Sequence, residues 1–400
     1  MKEILLGKNI LMLHSTSDLY GASRIFLQTA EILKSHGARI EVYLTEPGPL
    51  STSLEAIEIP VHFTRLGILR RKYIHPTGII NRIYFTFKAT LVLIRFIRSH
   101  QIDLVYNNAT SVLAGIFAAK VTRTKHIWHI HEIIATPKLF ASFTAYLMHA
   151  ASEVNIFVSE ATMAHWLKVS PTLGRKDKAI RIYNGVASVD NNSSRDEIRS
   201  EAFRHFNITV PESFVIVGMI GRINPWKGQG YFIEIARQLI QKFKMVHFVM
   251  AGDPFPGYEY IQEELYKRIN QTDLRPYFTD LGYQKDNHNF FNLIDMLIVP
   301  STLPDPLPTV VLEAMAHSKP VIGTRHGGIT EMIRHQETGL LIAPNDAQQS
   351  AEVLLPLVQD KQLQQQYGEA GNKLLKASFS PESYKSLILT VTKNILDDQF

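Results

Sequence analysis

Apolar and polar positions follow two different periods along this chain, and the periods take turns. Short apolar runs at 9–15, 39–44, 102–108, 126–131 and 154–159 predict strands. The gaps between them, at 22–35, 79–98, 112–120 and 139–150, repeat their apolar residues every three or four positions and predict helices. The second half follows the same plan, with strands expected at 214–221, 246–252, 296–301, 320–324 and 339–344. Between the halves, 189–195 is polar and reads as a linker. Short apolar strands each followed by a helix imply a parallel sheet covered on both faces. The expected fold class is therefore α/β: two Rossmann-like, doubly wound domains facing across a cleft, with ligands at the carboxyl ends of the strands. Domain bounds follow as 1–187, a linker at 188–198, a second domain at 199–378 and a terminal helix at 379–400.

Composition supports this division. Four hundred residues exceed one ordinary core, and a 45% hydrophobic share suits a globular chain rather than a disordered or membrane-spanning one. Lys8 and Asn9 interrupt the short apolar start, so no signal peptide is expected. With no cysteine, disulfides and thiolate metal sites are excluded, and a cytoplasmic setting is the default expectation.

Charge is uneven. Through Ile180 the chain carries 21 Lys and Arg against 12 Asp and Glu, and beyond it 21 against 25. Residues 59–102 contain no acid at all, but hold Arg65, Arg70, Arg71, Lys72, Arg82, Lys88, Arg95 and Arg98 among aromatics. Such a surface can meet acidic lipid, nucleic acid or a phosphorylated acceptor. For most of these residues the ordinary reading is a solvated helix face beside its core stripe. Arg82, Lys88 and Arg95 interrupt 79–97 too often for a transmembrane helix.

The densest chemistry lies at 300–344. Pro304, Pro306 and Pro308 hold Asp305 in an extended, non-helical segment. Thr309 is the expected N-cap of a helix that carries Glu313. A loop ending on a helix N-terminus offers backbone N–H groups to an anion, and flanking acids accept bonds from hydroxyls. That combination suits a sugar nucleotide. Gly327 and Gly328 then follow a predicted strand and precede Glu331. Arg222 stands at the end of the 214–221 strand, with Lys227 five residues on and Gly228 and Gly230 opening a helix. Two cations beside a helix N-terminus make a diphosphate site. The spacing is neither GxGxxG nor a Walker loop. The buried face of that helix should be Phe232, Ile235, Ala236 and Leu239.

Near the N-terminus, Gly21 turns the first strand into its helix. His129 and His131 should share a face at the end of another strand, with His131, followed by Glu132, favoured as the site residue. No Asp-x-Asp pair occurs, so metal binding is not expected.

GRINPWKGQ, followed by PDPLPTVVLEAMAHSKPVIGTRHGG, EMI and TGLL, resembles the retaining glycosyltransferases of group 1 (family 4, GT-B fold). The resemblance implies that Arg222 and Lys227 neutralise a donor diphosphate. It implies that Glu313 holds the ribose and that Asp305 contacts the transferred sugar. Backbone N–H groups at Thr309 and Val310, with Gly21, would complete the phosphate cradle. Gly328 and Glu331 would lie on the donor side, Glu331 near the ribose or base, and His131 would bond a sugar hydroxyl near the anomeric carbon. Two residues depart from the pattern. Asp305 replaces the usual Glu and is one methylene shorter, and Tyr20-Gly21 stands where the family carries paired glycines.

The resemblance further implies transfer from a UDP- or GDP-sugar to a glycan or lipid-linked acceptor, with retention and without a metal or other cofactor. Cell-surface polysaccharide assembly is the implied setting. The terminal helix would pack back on the N-terminal domain. An anionic membrane surface is an expected partner on the cytoplasmic side; nucleic acid is not. The alternatives are a nucleotide-sugar epimerase on the same plan and a non-catalytic sugar-nucleotide-binding protein.

Overall fold

The computed structural model describes residues 3–69, 73, 75–189, 194–270 and 273–398, so Arg70, Arg71 and Lys72 lie outside the described residues. The chain divides into two compact units, Met1–Asn184 with Glu382–Phe400, and Gly185–Pro381.

The first unit runs β1 (Asn9–His14), α1 (Gly21–Ser35), β2 (Arg39–Leu44), α2 (Pro49–Ala56), β3 (Val61–Phe63), α3 (Pro76–Ser99) and β4 (Leu104–Asn108). It continues with α4 (Leu113–Thr122), β5 (Lys125–Ile130), α5 (Lys138–Ala151), β6 (Val154–Phe157), α6 (Glu160–Val169) and β7 (Ala179–Arg181). Its sheet has the order β3-β2-β1-β4-β5-β6-β7, and its pairings are parallel. Period-two alternation fills two cores. Leu11, Leu13 and Val105 pack with α3 and α4, while Ile10, Met12, Leu104 and Tyr106 pack with α1 on the other face. β3 and β7 have three residues each and were not predicted, because so short a run shows no period.

The second unit contains α7 (Arg195–His205), β8 (Val215–Ile220), α8 (Gln229–Lys242), β9 (Val246–Ala251), α9 (Glu259–Asn270), β10 (Phe278–Asp280) and α10 (His288–Leu293). β11 (Met296–Val299), α11 (Thr309–Ala316), β12 (Val321–Thr324), α12 (Ile329–Met332), β13 (Gly339–Ile342), α13 (Ala347–Gln359) and α14 (Lys361–Ser378) complete it. Its parallel sheet has the order β10-β9-β8-β11-β12-β13. In each unit the strand order reverses beside the first strand, between β1 and β4 and between β8 and β11. Sheets of this kind open a crevice at that point, outside the carboxyl ends.

The boundary between the units differs from the sequence reading. Part of the expected linker is helical, because Ser194 caps α7 in a reciprocal capping box with Glu197. The helix carries few apolar residues and buries only Ala202 and Phe203, so periodicity did not reveal it. Ahead of it, the Val189 N–H donates to the Ala316 carbonyl at 3.1 Å, which ties 189 to the second unit. The last helix, α15 (Pro381–Leu396), belongs to the first unit. Tyr384, Ile388, Leu389 and Ile395 enter the core around Ile10 and Phe26, and the Tyr384 hydroxyl meets Thr29 Oγ1 at 2.5 Å.

Candidate functional site

In the second unit, the residues singled out from sequence gather at the carboxyl ends of β8, β11 and β12. After β8, Asn224 Oδ1 accepts hydrogen bonds from the N–H groups of Trp226 and Lys227 at 3.1 and 3.0 Å. The resulting turn aims Lys227 across to the loop after β11, where its Nζ donates to Asp305 Oδ2 at 2.5 Å. Asp305 is only 7% exposed, and Ser301 Oγ donates to the same oxygen at 3.4 Å. Burial makes such a pair depend on both partners, since either charge left alone would be strongly destabilising. Arg222 is half-buried, with its guanidinium carbon 5.0 Å from the Phe255 ring centroid. A weakly hydrated, planar cation on an aromatic face is well placed to bind a phosphate in the plane of its fork.

Glycines here serve the backbone. Gly228 has φ +85°, and a Cβ on it would stand 1.9 Å from the Pro300 carbonyl oxygen. The absent side chain lets α8 start against the end of β11, which places Lys227 beside Asp305. Gly327, at φ +64°, would likewise meet the Asp305 backbone. The Gly328 N–H donates to the Asp305 carbonyl at 2.8 Å. Gly328 was expected on the donor side, and its amide holds the acidic loop in place.

α11 opens one residue earlier than expected. Pro308 is the cap, Thr309 the first helical residue, and no side chain caps the first turn. The first-turn N–H groups of Thr309 and Val310 therefore have no side-chain cap to satisfy them, as an anion site requires. One turn on, Glu313 accepts from Asn287 Nδ2 at 2.7 Å, so one carboxylate oxygen is held while the side chain stays half-buried. Glu331 sits half-buried in the short helix α12 behind the glycine turn. Sequence reasoning missed Asn287, Ser301 and His326. Burial holds the His326 imidazole below its usual value, and the Asp305 carboxylate pulls the other way.

The first unit gathers a different set. Gly21 is the first residue of α1, behind Tyr20 as cap. His131 follows β5, its ring 4.2 Å from that of His129, so the two share a face as alternation required. A chain of bonds runs from it through residues not singled out from sequence. His131 Nε2 meets Asn108 Oδ1 at 2.9 Å, Asn108 Nδ2 meets His14 Nδ1 at 2.9 Å, and His14 Nε2 meets Ser23 Oγ at 3.0 Å. Ser23 in turn donates to Asp18 at 2.9 Å.

One proton arrangement satisfies the chain. The Asn108 amide donates to His14 Nδ1, His14 donates from Nε2, and His131 donates from Nε2, leaving His131 Nδ1 as the basic nitrogen. Burial lowers His14 to about 4. It also holds His131 well below its usual value, helped by His129 and His14. Glu132 accepts from the N–H groups of Thr110 at 3.2 Å and His131 at 3.1 Å. Burial outweighs those bonds and raises its carboxyl to about 7. The legible signal for His14 and Asn108 was their place at the ends of the two strands flanking the switch point. Among the described residues, no three His, Asp or Glu side chains gather as a metal site.

The comparisons with known proteins agree with this geometry. Residues 200–374 match the model for glycosyl transferases group 1, and residues 20–188 match that for glycosyltransferase family 4. The chain is 25% identical to the alpha-1,3/1,6-mannosyltransferase of Homo sapiens, over 96% of both proteins. It is 22% identical, over 89% of each, to an Escherichia coli UDP-Gal:alpha-D-GlcNAc-diphosphoundecaprenol alpha-1,3-galactosyltransferase. Its fold superposes with a TM-score of 0.82, at 22% identity, on Anabaena HepE crystallised with UDP-glucose, covering 96% of this chain and 99% of that one. Two parallel α/β units, ionic strand ends in the second and both halves of the chain matched place it in one group: the chain belongs to the group 1 (family 4) glycosyltransferases of GT-B fold.

Proposed function

We propose that this glycosyltransferase moves a hexose from a UDP-sugar, with retention at the anomeric carbon, onto a lipid-linked or glycan acceptor during cell-surface polysaccharide assembly. The observation that carries the reading is the Lys227–Asp305 pair at 2.5 Å, set beside Arg222 and the uncapped first turn of α11. Lys227, Arg222 and the N–H groups of Thr309 and Val310 hold the diphosphate and take up the charge that develops as it leaves. Glu313, steadied by Asn287, accepts from the ribose hydroxyls, and Glu331 lies near the ribose or base. Asp305 keeps Lys227 in position and faces the transferred sugar. In the first unit, His131 bonds a sugar hydroxyl and Gly21 lets backbone approach a phosphate.

In the reaction the bond from the anomeric carbon to the diphosphate breaks, and a bond to the acceptor oxygen forms on the same face. The acceptor proton leaves with the nucleoside diphosphate. Fixed cations and helix N–H groups supply the electrostatic role a metal takes elsewhere, so the reaction runs without one. UDP is favoured because UDP-galactose is the donor named for the Escherichia coli relative and UDP-glucose is bound by the Anabaena neighbour. The diphosphoundecaprenol acceptor of that relative favours a lipid-linked acceptor, met at an anionic membrane surface on the cytoplasmic side.

Incubation with a panel of UDP- and GDP-sugars and an undecaprenyl-diphosphate-linked sugar tests this reading. Acceptor-dependent release of UDP, a product of retained configuration by NMR, and activity that persists in EDTA are expected. Hydrolysis without transfer, inversion, or loss in EDTA with recovery on added manganese would each overturn the corresponding part.

A further inference from the structure

α3 is apolar on two sides. Its inner side, with Ala89, Leu93, Phe96 and Ile97, is buried in the core against Leu11, Leu13 and Val105. Its outer side carries Ile80, Ile83, Tyr84, Phe87 and Leu91, which are 67%, 63%, 50%, 62% and 43% exposed. Those positions are spaced by three, four, seven and eleven from Ile80, so they form one ridge along three turns. Water-facing ridges of this size carry a standing hydrophobic penalty and mark contact surfaces.

Charge identifies the partner. Between residues 59 and 102 there is no acid, and α3 presents Lys88, Arg95 and Arg98 exposed beside the ridge. The Lys88 ammonium lies 4.8 Å from the Tyr84 ring centroid, and the Arg82 guanidinium lies 5.3 Å from that of Phe85. Amphipathic rings paired with cations suit the level where lipid head groups meet acyl chains. A second exposed stripe, Leu139, Phe143 and Tyr146 at 86%, 44% and 64%, runs along α5. Its spacing of four and three keeps it on one side of that helix. α4 packs against both α3 and α5, so both stripes belong to one helical layer of the first unit.

We infer that the outer ridge of α3 docks the first unit on an anionic bilayer, with Ile80, Ile83 and Phe87 inserted below the head groups and Lys88, Arg95 and Arg98 on lipid phosphates. The inference rests on the proposed lipid-linked acceptor and adds which surface meets the membrane, and that it enters by apolar insertion. No helix among the described residues is long and apolar enough to cross a membrane, so the contact is made from one side.

Flotation of the full chain with vesicles of phosphatidylcholine and phosphatidylglycerol (1:1), or of phosphatidylcholine alone, tests it. The wild type floats with the mixed vesicles and binds more weakly to the neutral ones. The double variant Ile83→Glu, Phe87→Glu lowers the partition about tenfold or more, as expected for charges placed in the inserted face. Arg95→Ala, Arg98→Ala lowers binding to the mixed vesicles towards the neutral level. Ile80→Ser serves as a milder arm should the double variant fold poorly, and lowers the partition several-fold.

Docking is overturned if the wild type stays unbound in both mixtures, or if the ridge variants float as well as it does. It is also overturned if the wild type is a dimer in buffer that Phe87→Glu converts to a monomer, because the ridge would then be a protein interface. Thermal shift with UDP separates the two readings. UDP binding retained without flotation sinks docking alone, and flotation without UDP binding sinks the donor assignment alone.

Discussion

The strand ends of the two units are built from opposite materials. In the second unit they carry ionic side chains: Lys227 on Asp305 at 2.5 Å, Arg222 on the Phe255 face, and Glu313 held by Asn287. In the first they carry groups that burial keeps neutral. His14 falls to about 4, His129 to about 3, and Glu132 rises to about 7. The same topology thus yields one set of strand ends built from ion pairs and another built from hydrogen bonds among buried groups. A diphosphate asks for the first, and a sugar hydroxyl, which must be located without being ionised, asks for the second.

Removing a charge in the second unit should have the largest effect. Lys227→Ala is expected to lower turnover by about 100-fold or more, because a preorganised charge donor is lost at the leaving group. It also strands Asp305 in a buried site, so a thermal melt must show that the variant is folded before the rate is read. Near-normal turnover in folded protein would end the contrast between the units.

The two carboxylates sharpen it further. Glu313→Gln should weaken UDP binding by about 10-fold, since ribose hydroxyls lose a charged acceptor. Asp305→Asn is expected to lower transfer by about 10-fold or more while leaving UDP affinity unchanged or higher, because the Lys227 ammonium no longer has a competing partner. Calorimetry with UDP on both variants decides, and an equal loss of affinity in the two would refute the division.

In the first unit, Asn108→Ala removes the bonds that set His131 and His14. Transfer should fall several-fold to about 10-fold, consistent with a loss of one or two oriented hydrogen bonds. UDP affinity should not change. A loss confined to UDP binding would contradict the assignment.

Glu132 gives the smallest effect and the clearest sign. The folded carboxyl keeps its proton up to about pH 7, whereas the unfolded one releases it near 4.5. Between those values the folded state binds more protons, so stability falls as pH rises through the window, by roughly 1–3 kcal/mol. Glu132→Gln should flatten that slope in urea melts at pH 5, 6 and 7. An unchanged slope would show that another group carries it.

Much of this molecule is local and was legible in the chain. Strand-then-helix alternation encodes what each segment must bury, and it placed the buried face of α8 on Phe232, Ile235, Ala236 and Leu239. Arg222 and Lys227 could be read as strand-end cations, and Asp305 as a residue in a stiff loop, because proline and sheet topology constrain them directly. Their pairing could not be read: Lys227 and Asp305 lie 78 residues apart. They meet only because β8 pairs with β11 and Gly228 lets α8 start against Pro300. The chain from His131 through Asn108 to His14 has the same origin, since β4 lies between β1 and β5.

Helices α3 and α8 show the limit from the other side. Both carry apolar residues at helical spacing, yet α8 buries its whole set while α3 leaves an entire ridge in water. Periodicity states that a side chain prefers to leave water. Which neighbour accepts it is a property of the packed layers, and for the outer face of α3 the described residues supply none.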